Sequence, residues 1–258
     1  GILIALLGIV GGRIMEANGN VTAAFMLFQL TAFVIVFGGT AGAMIYGARK
    51  EDVLAFPKLL MMSFQKSLVK PEEMIPQLVR FAEKARREGL LSLEREVVNI
   101  EDEFLKQGLQ LVADGTDPEI VKSILEIQVD QQRARHNRVA KYLEAGAGYA
   151  PTIGIIGAVL GLIAVMEHLA EGIEHIGKGI AVAFVATIYG LVLANIILFP
   201  MASKLRLKSE EEVLVRELVL EGILSIQAGD NPRIIEERLK AFLSNSERKQ
   251  YEALRQKK

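Results

Sequence analysis

The stretch "PTIGIIGAVLGLIAV", residues 151–165, decides the fold because it has no charged side chain and contains three glycines and one proline. Gly154, Gly157 and Gly161 are three and then four residues apart, so on a helix they lie on one face. Glycines on one face of an apolar helix allow a neighbouring helix to approach closely. The stretch therefore predicts a membrane helix with a close-packed face.

Three uncharged blocks are long enough to cross a bilayer. They comprise residues 145–166, 179–203 and 17–48, with 23–48 as the convincing part of the last. Each exceeds the ~20 residues that a helix needs to span the hydrocarbon core. Residues 1–12 are too short to span, so we expect them to be the end of a first span that starts before residue 1. A signal peptide is the alternative, but no basic segment or clear cleavage site supports it.

The basic residues predict how the spans are oriented. Of the 30 lysines and arginines, 28 lie in residues 49–144 and 201–258, so the positive-inside rule makes these segments cytoplasmic. The predicted fold is an all-α polytopic membrane protein with four transmembrane helices and a helical cytoplasmic domain. Its parts are the first two spans (1–48), a cytoplasmic domain (49–144), the third and fourth spans (145–203) and a cytoplasmic tail (204–258).

Helix signals recur through the cytoplasmic segments. Gly89 ends the first predicted helix, and residues 90–115 predict a second, continuous one. Asp117 and Asn231 are N-cap residues, each followed by a proline at the first helical position. The helix that follows Asp117 has no breaker before the third span, so the two are expected to be continuous. The three helix starts marked by proline are Pro71, Pro118 and Pro232.

Composition excludes several functions. The chain has no cysteine, which excludes disulfides and thiolate metal sites. It has three histidines and no glycine-rich phosphate loop, so no enzyme, cofactor or metal site is predicted. Acidic residues balance the basic ones in the loop, so nucleic acid is not an expected partner.

The interiors of the three complete spans contain no Asp, Glu, Lys, Arg or His. Ionisable residues inside a membrane usually mark proton relays and ion-coupling sites. The chain therefore either moves no ion or forms the wall of a path whose titratable group belongs to another subunit. The glycine face suits a partner helix in the second case, and packing between the chain's own helices is the alternative.

Few polar features remain as candidates for an ion path. Pro151 and Pro200 each free a backbone carbonyl near the cytoplasmic end of a span, which is tolerated beside a water-filled path. The alternative is a harmless proline in the first turn of a helix. Thr187 could offer its hydroxyl to an ion or water, or bond back to its own helix.

Two charged segments lie outside the spans. Glu167, Glu171 and Glu174 would share one helix face and could concentrate cations at an external mouth, with a solvated connector as the alternative. Residues 83–96 have mixed charges, which suit either a solvated hairpin or a partner surface recognised by charge.

At four places the sequence resembles the MotA/PomA family, the A subunits of the bacterial flagellar stator. The matching segments are "ARREGLLSLE" (85–94), "AGAGYAPTIGIIGAVLGLI" (145–163), "AVAFVATIYG" (181–190) and "FPMASKLRLKS" (199–209). The resemblance covers nearly the whole chain.

The resemblance implies a homopentamer of A subunits in the cell inner membrane around MotB/PomB-type subunits, which supply a transmembrane aspartate and a peptidoglycan-binding domain. Ion flow would turn this ring against the rotor switch-complex protein FliG. By position in the motifs, Arg86, Glu94 and the adjacent Arg87 would contact the rotor. Pro151, Pro200 and Thr187 would lie near the ion path, and the three glycines would pack against the partner helix.

The resemblance also bears on the transported ion. Sodium-type members tend to carry threonine at the positions of Ala158 and Ala186, and alanine offers no oxygen to a dehydrating Na⁺. A proton is therefore favoured and Na⁺ is the alternative.

Three further functions stay open at the level of the sequence. An ExbB/TolQ-type ring subunit would also surround an aspartate-bearing partner, but such proteins usually have one span before their large insert. A passive membrane scaffold would have no ion path. A membrane enzyme has the weakest support, because no nucleophile and base stand together in or near the spans.

Overall fold

The structure is a computed structural model that describes residues 1–51, 53–54, 70–167 and 173–255. Every regular element in these residues is helical, which confirms the all-α class. The chain divides into two compact units. We call residues 1–64 and 138–206 the membrane unit, and residues 65–137 and 207–258 the extramembrane unit.

The membrane unit begins with helix α1 (Ile2–Glu16), followed by one turn at Thr22–Phe25 and helix α2 (Leu30–Gly47). Parts of two long helices complete it. These are α5 (Pro118–Glu167) and α6, which starts at Ile173 and runs through Phe199–Gln227. Among the described residues three helices are long and apolar enough to span a membrane, namely Leu30–Gly47, Pro118–Glu167 and Gly179–Gln227.

Four spans are thus not confirmed. The predicted first span corresponds to α1, which has 15 described residues and is shorter than the ~20 that a bilayer core requires.

The second span starts later than predicted. We expected a helix from residue 23, but Gln29 has extended backbone angles and α2 begins only at Leu30. The hydroxyl of Tyr189 in α6 binds this break, because it donates to the Leu27 carbonyl and accepts from the Gln29 N–H at 3.2 Å. The break is stable at this place because a distant side chain satisfies the backbone groups that the helix would otherwise have paired.

Two of the apolar helices contain a π-helical turn. One lies at Val34–Gly38 in α2 and the other at Leu193–Leu198 in α6. The second ends just before Pro200, which lacks an N–H and whose ring would collide with the carbonyl four residues earlier in a regular α-helix. The wider turn relieves that collision, so α6 continues past the proline without ending.

The extramembrane unit is a helical bundle around an apolar core. It contains α3 (Pro71–Glu88), the short helices Leu90–Leu93 and Glu94–Val97, and α4 (Glu103–Ala113), with the start of α5 and the end of α6. Helices α7 (Pro232–Lys240) and α8 (Asn245–Arg255) complete it. Its largest fully buried side chains include Leu78, Leu93, Leu105, Leu125, Ile223 and Ile235.

The predicted helix boundaries of this unit are largely confirmed. Gly89 follows α3 with a φ of 84°, a left-handed conformation that suits glycine. Asp117 accepts the Glu119 N–H at 2.9 Å, and Asn231 accepts the Arg233 N–H at 3.0 Å.

The continuous helix predicted over residues 90–115 is wrong. Residues 98–102 interrupt it, because Asp102 has extended angles and caps α4 by accepting the Leu105 N–H at 2.8 Å.

Helix α5 is continuous with its apolar segment, as the absence of breakers after Asp117 predicted, and α6 also continues beyond its apolar segment. Within the membrane unit, Arg206 of α6 forms two short contacts with Glu144 of α5, at 2.6 and 2.7 Å. Such a two-pronged arginine–carboxylate pair is geometrically specific as well as attractive. It fixes α5 against α6 at the end of their uncharged stretches.

Gly108 provides a test of the extramembrane core. A Cβ added there would collide with Ile223 of α6 and lie 3.2 Å from Leu125 of α5. Replacing Gly108 by valine should lower the free energy of unfolding by about 1–3 kcal/mol, the usual cost of overpacking. Thermal melting of the purified protein would measure this, and Gln107→Val on the exposed side of the same helix is the matched control. Equal melting temperatures for the two variants would contradict the packing described.

Candidate functional site

The three glycines of residues 151–165 lie in a seam between α5 and α6. A Cβ on Gly154 would lie 2.9 Å from the Ala186 carbonyl oxygen and 3.3 Å from the Gly190 Cα. A Cβ on Gly161 would lie 2.9 Å from the Gly179 carbonyl oxygen. Backbone atoms cannot rotate away as a side chain can, so the two helices approach as closely as they do only because these positions have no side chain.

The seam is reciprocal, and the sequence carried a signal for it that we did not use. Small residues at 179, 183, 186 and 190 of α6 are four, three and four residues apart, which puts them on one helix face. A Cβ on Gly190 would lie 2.6 Å from the Ala150 carbonyl oxygen and 3.2 Å from the Gly154 Cα. The helix face that packs against the three glycines therefore belongs to the same chain.

This arrangement corresponds to the intramolecular alternative for the glycine stripe. Since α6 covers Gly154, Gly157 and Gly161, the stripe itself is occupied by the chain's own helix. The open side of α5 lies next to it and is uniformly apolar and exposed, at Ile155, Ile156, Val159, Leu160, Leu162 and Ile163. A second membrane helix would have this side of α5 to pack against.

Thr187 and the two alanines border the seam. The Thr187 hydroxyl donates to the Ala183 carbonyl at 3.2 Å, so Thr187 forms the bond to its own helix that the sequence offered as one alternative. A hydroxyl held this way keeps its lone pairs available as acceptors. Ala186 is fully buried and faces Gly157, whereas Ala158 is half-buried.

The two prolines differ in their surroundings. Pro151 lies inside α5 and is half-buried, so the carbonyl of the buried Ala147 lacks its usual helical donor. Pro200 is exposed and borders a cavity of about 530 Å³ together with Asn195, Lys204 and the first residues of α1.

The predicted external mouth is only partly within the described residues. Glu167 is exposed at the end of α5. Glu171 lies outside the described residues, and the side chain of Glu174 does as well. Across the described parts of the chain, no group of three or more histidine or acidic side chains is arranged to hold a metal ion.

The predicted rotor-contact residues form an exposed charged surface on the extramembrane unit. Arg86 and Arg87 lie in the last turn of α3, and Glu94 begins the short helix that follows. All three are exposed, and no ion pair joins any of them to another described residue. Together with Glu83, the two arginines border a shallow groove, whose other side is formed by Asn231, the N-cap of α7, and by Pro232 and Arg233.

Neighbouring charges, in contrast, are engaged in holding the hairpin together. Glu96 accepts the Lys84 ammonium at 2.7 Å and the Arg80 guanidinium at 3.1 Å. The hydrogen bond from Lys84 and both positive charges lower the pKa of Glu96 despite some burial. The Glu96 carboxylate thus joins α3 to the short helix that carries Glu94, which fixes where Glu94 stands relative to Arg86.

Sequence reasoning missed two apolar residues on the same surface. Leu91 and Val98 are 70% and 77% exposed, and with Glu94 and Arg95 they form one face at spacings of three, four and seven residues. The opposite face, at Leu93 and Val97, is buried. The available sequence signal was the spacing, because Leu91 and Val98 are seven residues apart and lie off the helix face that Leu93 and Val97 share.

Comparison with known proteins gives consistent results over nearly the full length. Residues 96–218 match the model of the "MotA/TolQ/ExbB proton channel family". The chain is 37% identical to motility protein A of Treponema phagedenis, covering 97% of this chain and 93% of that protein. It is 32% identical to chemotaxis protein PomA of Vibrio alginolyticus, covering 95% and 97%.

A solved structure agrees with the fold. The flagellar MotAB stator complex from Bacillus subtilis matches with a TM-score of 0.88 at 33% identity, covering 97% of this chain and 96% of that one.

The seam predicts strong sensitivity at Gly190. Because an added methyl group would meet backbone atoms of Ala150 and Gly154, Gly190→Ala should separate α5 from α6 and lower the melting temperature of the detergent-extracted protein. Gly148→Ala is the control, since a Cβ at this exposed position of α5 meets nothing within 4 Å. If Gly190→Ala melted at the same temperature as Gly148→Ala, the seam would not have the close approach described.

Proposed function

Because the chain belongs to the MotA/TolQ/ExbB proton channel family, and within it to the motility A proteins, we infer that it is a membrane-embedded stator subunit of the bacterial flagellar motor. The observation that carries this inference is the pairing of α5 and α6, whose apolar stretches pack through glycines and contain no ionisable side chain. Such helices can wall an ion path but cannot complete one.

The missing titratable group defines the partner. We propose a MotB/PomB-type subunit whose single membrane helix brings an aspartate and whose other end is anchored to peptidoglycan. The exposed apolar side of α5 beside the seam is the surface for that helix, with Ile155, Val159 and Leu162 on it. The glycine stripe would act indirectly, by keeping α5 and α6 at a fixed separation behind this surface.

The subunit is proposed to act as a homopentameric ring around the partner helices. Its basic residues would put the extramembrane unit and the chain's tail in the cytoplasm, and the segment between α5 and α6 outside. Glu167 would then stand at the outer mouth, where carboxylates attract cations.

A proton is the proposed ion. Ala158 and Ala186 offer no side-chain oxygen, and Ala186 is packed against Gly157 rather than open to a path. A proton needs only the partner's carboxylate and water, with the Thr187 hydroxyl as a further hydrogen-bonding group. Sodium would need several oxygen ligands, for which Thr187 and the Ala147 carbonyl freed by Pro151 are the candidates within this chain.

The rotor contact is proposed to combine charge and apolar contact. Arg86, Arg87 and Glu94 would pair with opposite charges on FliG, which controls encounter and register more than affinity. Leu91 and Val98 stand on the same hairpin and would supply the apolar centre that usually dominates binding energy.

The experiment that tests the function uses a host lacking its own stator. The host would carry the complete gene with a MotB-type partner, and swimming speed would be measured while sodium is varied at fixed pH. We expect swimming that ignores sodium and stops with a protonophore. Swimming that rises and saturates with sodium would overturn the proposed ion but keep the stator function.

A null result is also informative. The host can also be given the rotor protein from the organism that encodes this chain, so that stator and rotor match. If the protein then inserts and binds its partner but swimming does not return, the stator function would be contradicted. An ExbB/TolQ-type ring subunit would then be the remaining candidate.

Charge reversal tests the rotor contact. Arg86→Glu and Glu94→Lys should each reduce swimming at least several-fold while the complex still assembles, because their side chains are exposed and hold no described partner. Lys122→Glu and Glu119→Lys, on exposed positions of α5 in the same unit, are the matched controls. Normal swimming by both Arg86 and Glu94 variants would remove these residues from the contact.

Apolar substitution tests the proposed centre. A Leu91→Asn, Val98→Asn double variant should weaken binding of the purified stator to the rotor protein about tenfold or more, since two exposed apolar side chains would lose their burial. This loss should persist at high salt, which screens the contribution of Arg86 and Glu94. Ile120→Asn, an exposed apolar residue on α5, is the control. Equal binding by both variants would show that the contact is purely electrostatic.

A further inference from the structure

A polar cluster joins α5 to α6 inside the extramembrane unit. The His136 Nδ1 atom of α5 lies 3.0 Å from the Ser209 hydroxyl and 3.7 Å from a Glu212 carboxylate oxygen, both on α6. One turn before His136, Gln132 donates its Nε2–H to the same Glu212 oxygen at 3.0 Å. Two side chains of α5 thus lie close to a single carboxylate of α6.

The cluster lies largely out of water. Gln132 is only 7% exposed and Ser209 is buried, while His136 and Glu212 retain about a quarter of their side-chain exposure. The Gln132 Oε1 atom is buried and has no hydrogen-bond partner among the described residues. Partly satisfied polar networks of this kind respond strongly to any change in charge, because little water screens them.

Protonation of His136 changes this network in two ways. A neutral imidazole has one N–H and one acceptor nitrogen, so Nδ1 can accept the Ser209 hydroxyl proton. An imidazolium donates from both nitrogens, so Nδ1–H would face Ser209 and Glu212 and the hydroxyl would have to turn away. Protonation also adds a positive charge to a half-buried position.

The charges around His136 oppose each other. Glu212 on α6 favours the imidazolium, whereas Arg135 on α5 and Arg216 and Lys208 on α6 disfavour it. Burial is the largest influence, and together with the three cations it lowers the pKa of His136 below its ordinary value of 6.5. The native packing of the cluster therefore favours the neutral form of His136 more than water does.

The sign of the pH dependence follows from this. A loosened chain binds the proton with the ordinary affinity of histidine, whereas the packed cluster binds it more weakly. The stabilising contribution is therefore complete above about pH 6.5, the unfolded value, and declines as the pH falls from there toward the lowered pKa of the packed histidine.

We propose that His136, with Gln132, Ser209 and Glu212, is a proton-sensing device that loosens the α5–α6 contact of the extramembrane unit when its surroundings acidify. The physiological meaning rests on the proposed function, which puts this unit in the cytoplasm. There a stator that admits protons would lower its own output when the cytoplasm becomes acidic. The device needs no ligand other than the proton.

The first measurement is a histidine titration of the complete stator complex with its partner subunit. NMR of ¹³C-labelled histidine would follow His136, whose signal is identified by its loss in His136→Asn. We expect a midpoint below 6.5, moved further down in Glu212→Gln and upward in Arg135→Gln. A midpoint at or above 6.5, or the same midpoint in both variants, would overturn the proposal.

The second measurement asks whether protonation loosens the contact. Hydrogen exchange of residues 128–137 and 207–217 should accelerate in the wild type as the pH falls through the titration, after correction for the intrinsic pH dependence of exchange. His136→Asn keeps a polar atom near the Nδ1 position but cannot titrate, so its corrected exchange should stay flat. A flat wild-type profile, or the same acceleration in both proteins, would refute the device.

Swimming cells test its consequence separately from the function itself. A permeant weak acid at fixed external pH acidifies the cytoplasm, and it lowers the proton gradient across the membrane by the same amount in both strains. Wild-type speed should fall at least about twofold more than that of His136→Asn, and equal falls would refute the regulatory role. Failure of the wild type to swim before acid is added would instead contradict the proposed function, while leaving the titration and exchange results to decide the site.

Discussion

The close approach of α5 and α6 is the constraint on which the membrane unit depends. In hydrocarbon there is no hydrophobic force to hold helices together, so contact rests on packing at short range. The two helices meet through Gly154, Gly161, Gly179 and Gly190, where backbone faces backbone. This geometry leaves little tolerance for added atoms. It is also consistent with a seam that contains neither charged nor bulky side chains.

The two units differ in the number and the pairing of their polar and charged side chains. In the membrane unit polar side chains are few, and the hydroxyls of Thr187 and Tyr189 donate to backbone carbonyls of the same chain. In the extramembrane unit charged side chains are plentiful, and some form ion pairs while others are exposed without a described partner. Glu96 holds the hairpin together through Lys84 and Arg80, while Arg86 and Glu94 stay exposed without described partners. Arg86 and Glu94 are therefore available to pair with charges on another protein.

The sequence predicted those features that depend on local chemistry. Caps at Asp117 and Asn231, the stop at Gly89 and the unbroken run of α5 into its apolar stretch follow from neighbouring residues alone. The start of α2 could not be predicted, because it depends on Tyr189, which is 160 residues away from Gln29. The break at residues 98–102 was missed because Asp102, one of several acids in that stretch, was not recognised as a cap.

The contacts of the candidate site could be predicted from the sequence only in part. The glycine stripe was visible in the sequence, but spacing along one helix does not say which helix covers it. The answer required pairing it with the small residues at 179–190 of α6, whose own spacing fits. Likewise, the resemblance located Arg86 and Glu94 in a motif, whereas only the structure shows that Leu91 and Val98 are exposed beside Glu94.

The hydrogen bonds of Tyr189 to the break before α2 have a consequence for biosynthesis. The ribosome makes Leu27 and Gln29 long before it reaches Tyr189, 160 residues after Gln29. Until Tyr189 has been made, the Leu27 carbonyl and the Gln29 N–H lack this partner, and an unpaired backbone group that is removed from water is costly. The hydrogen bonds that satisfy the backbone at the native start of α2 can thus form only after residue 189 has been made, in the other half of the chain.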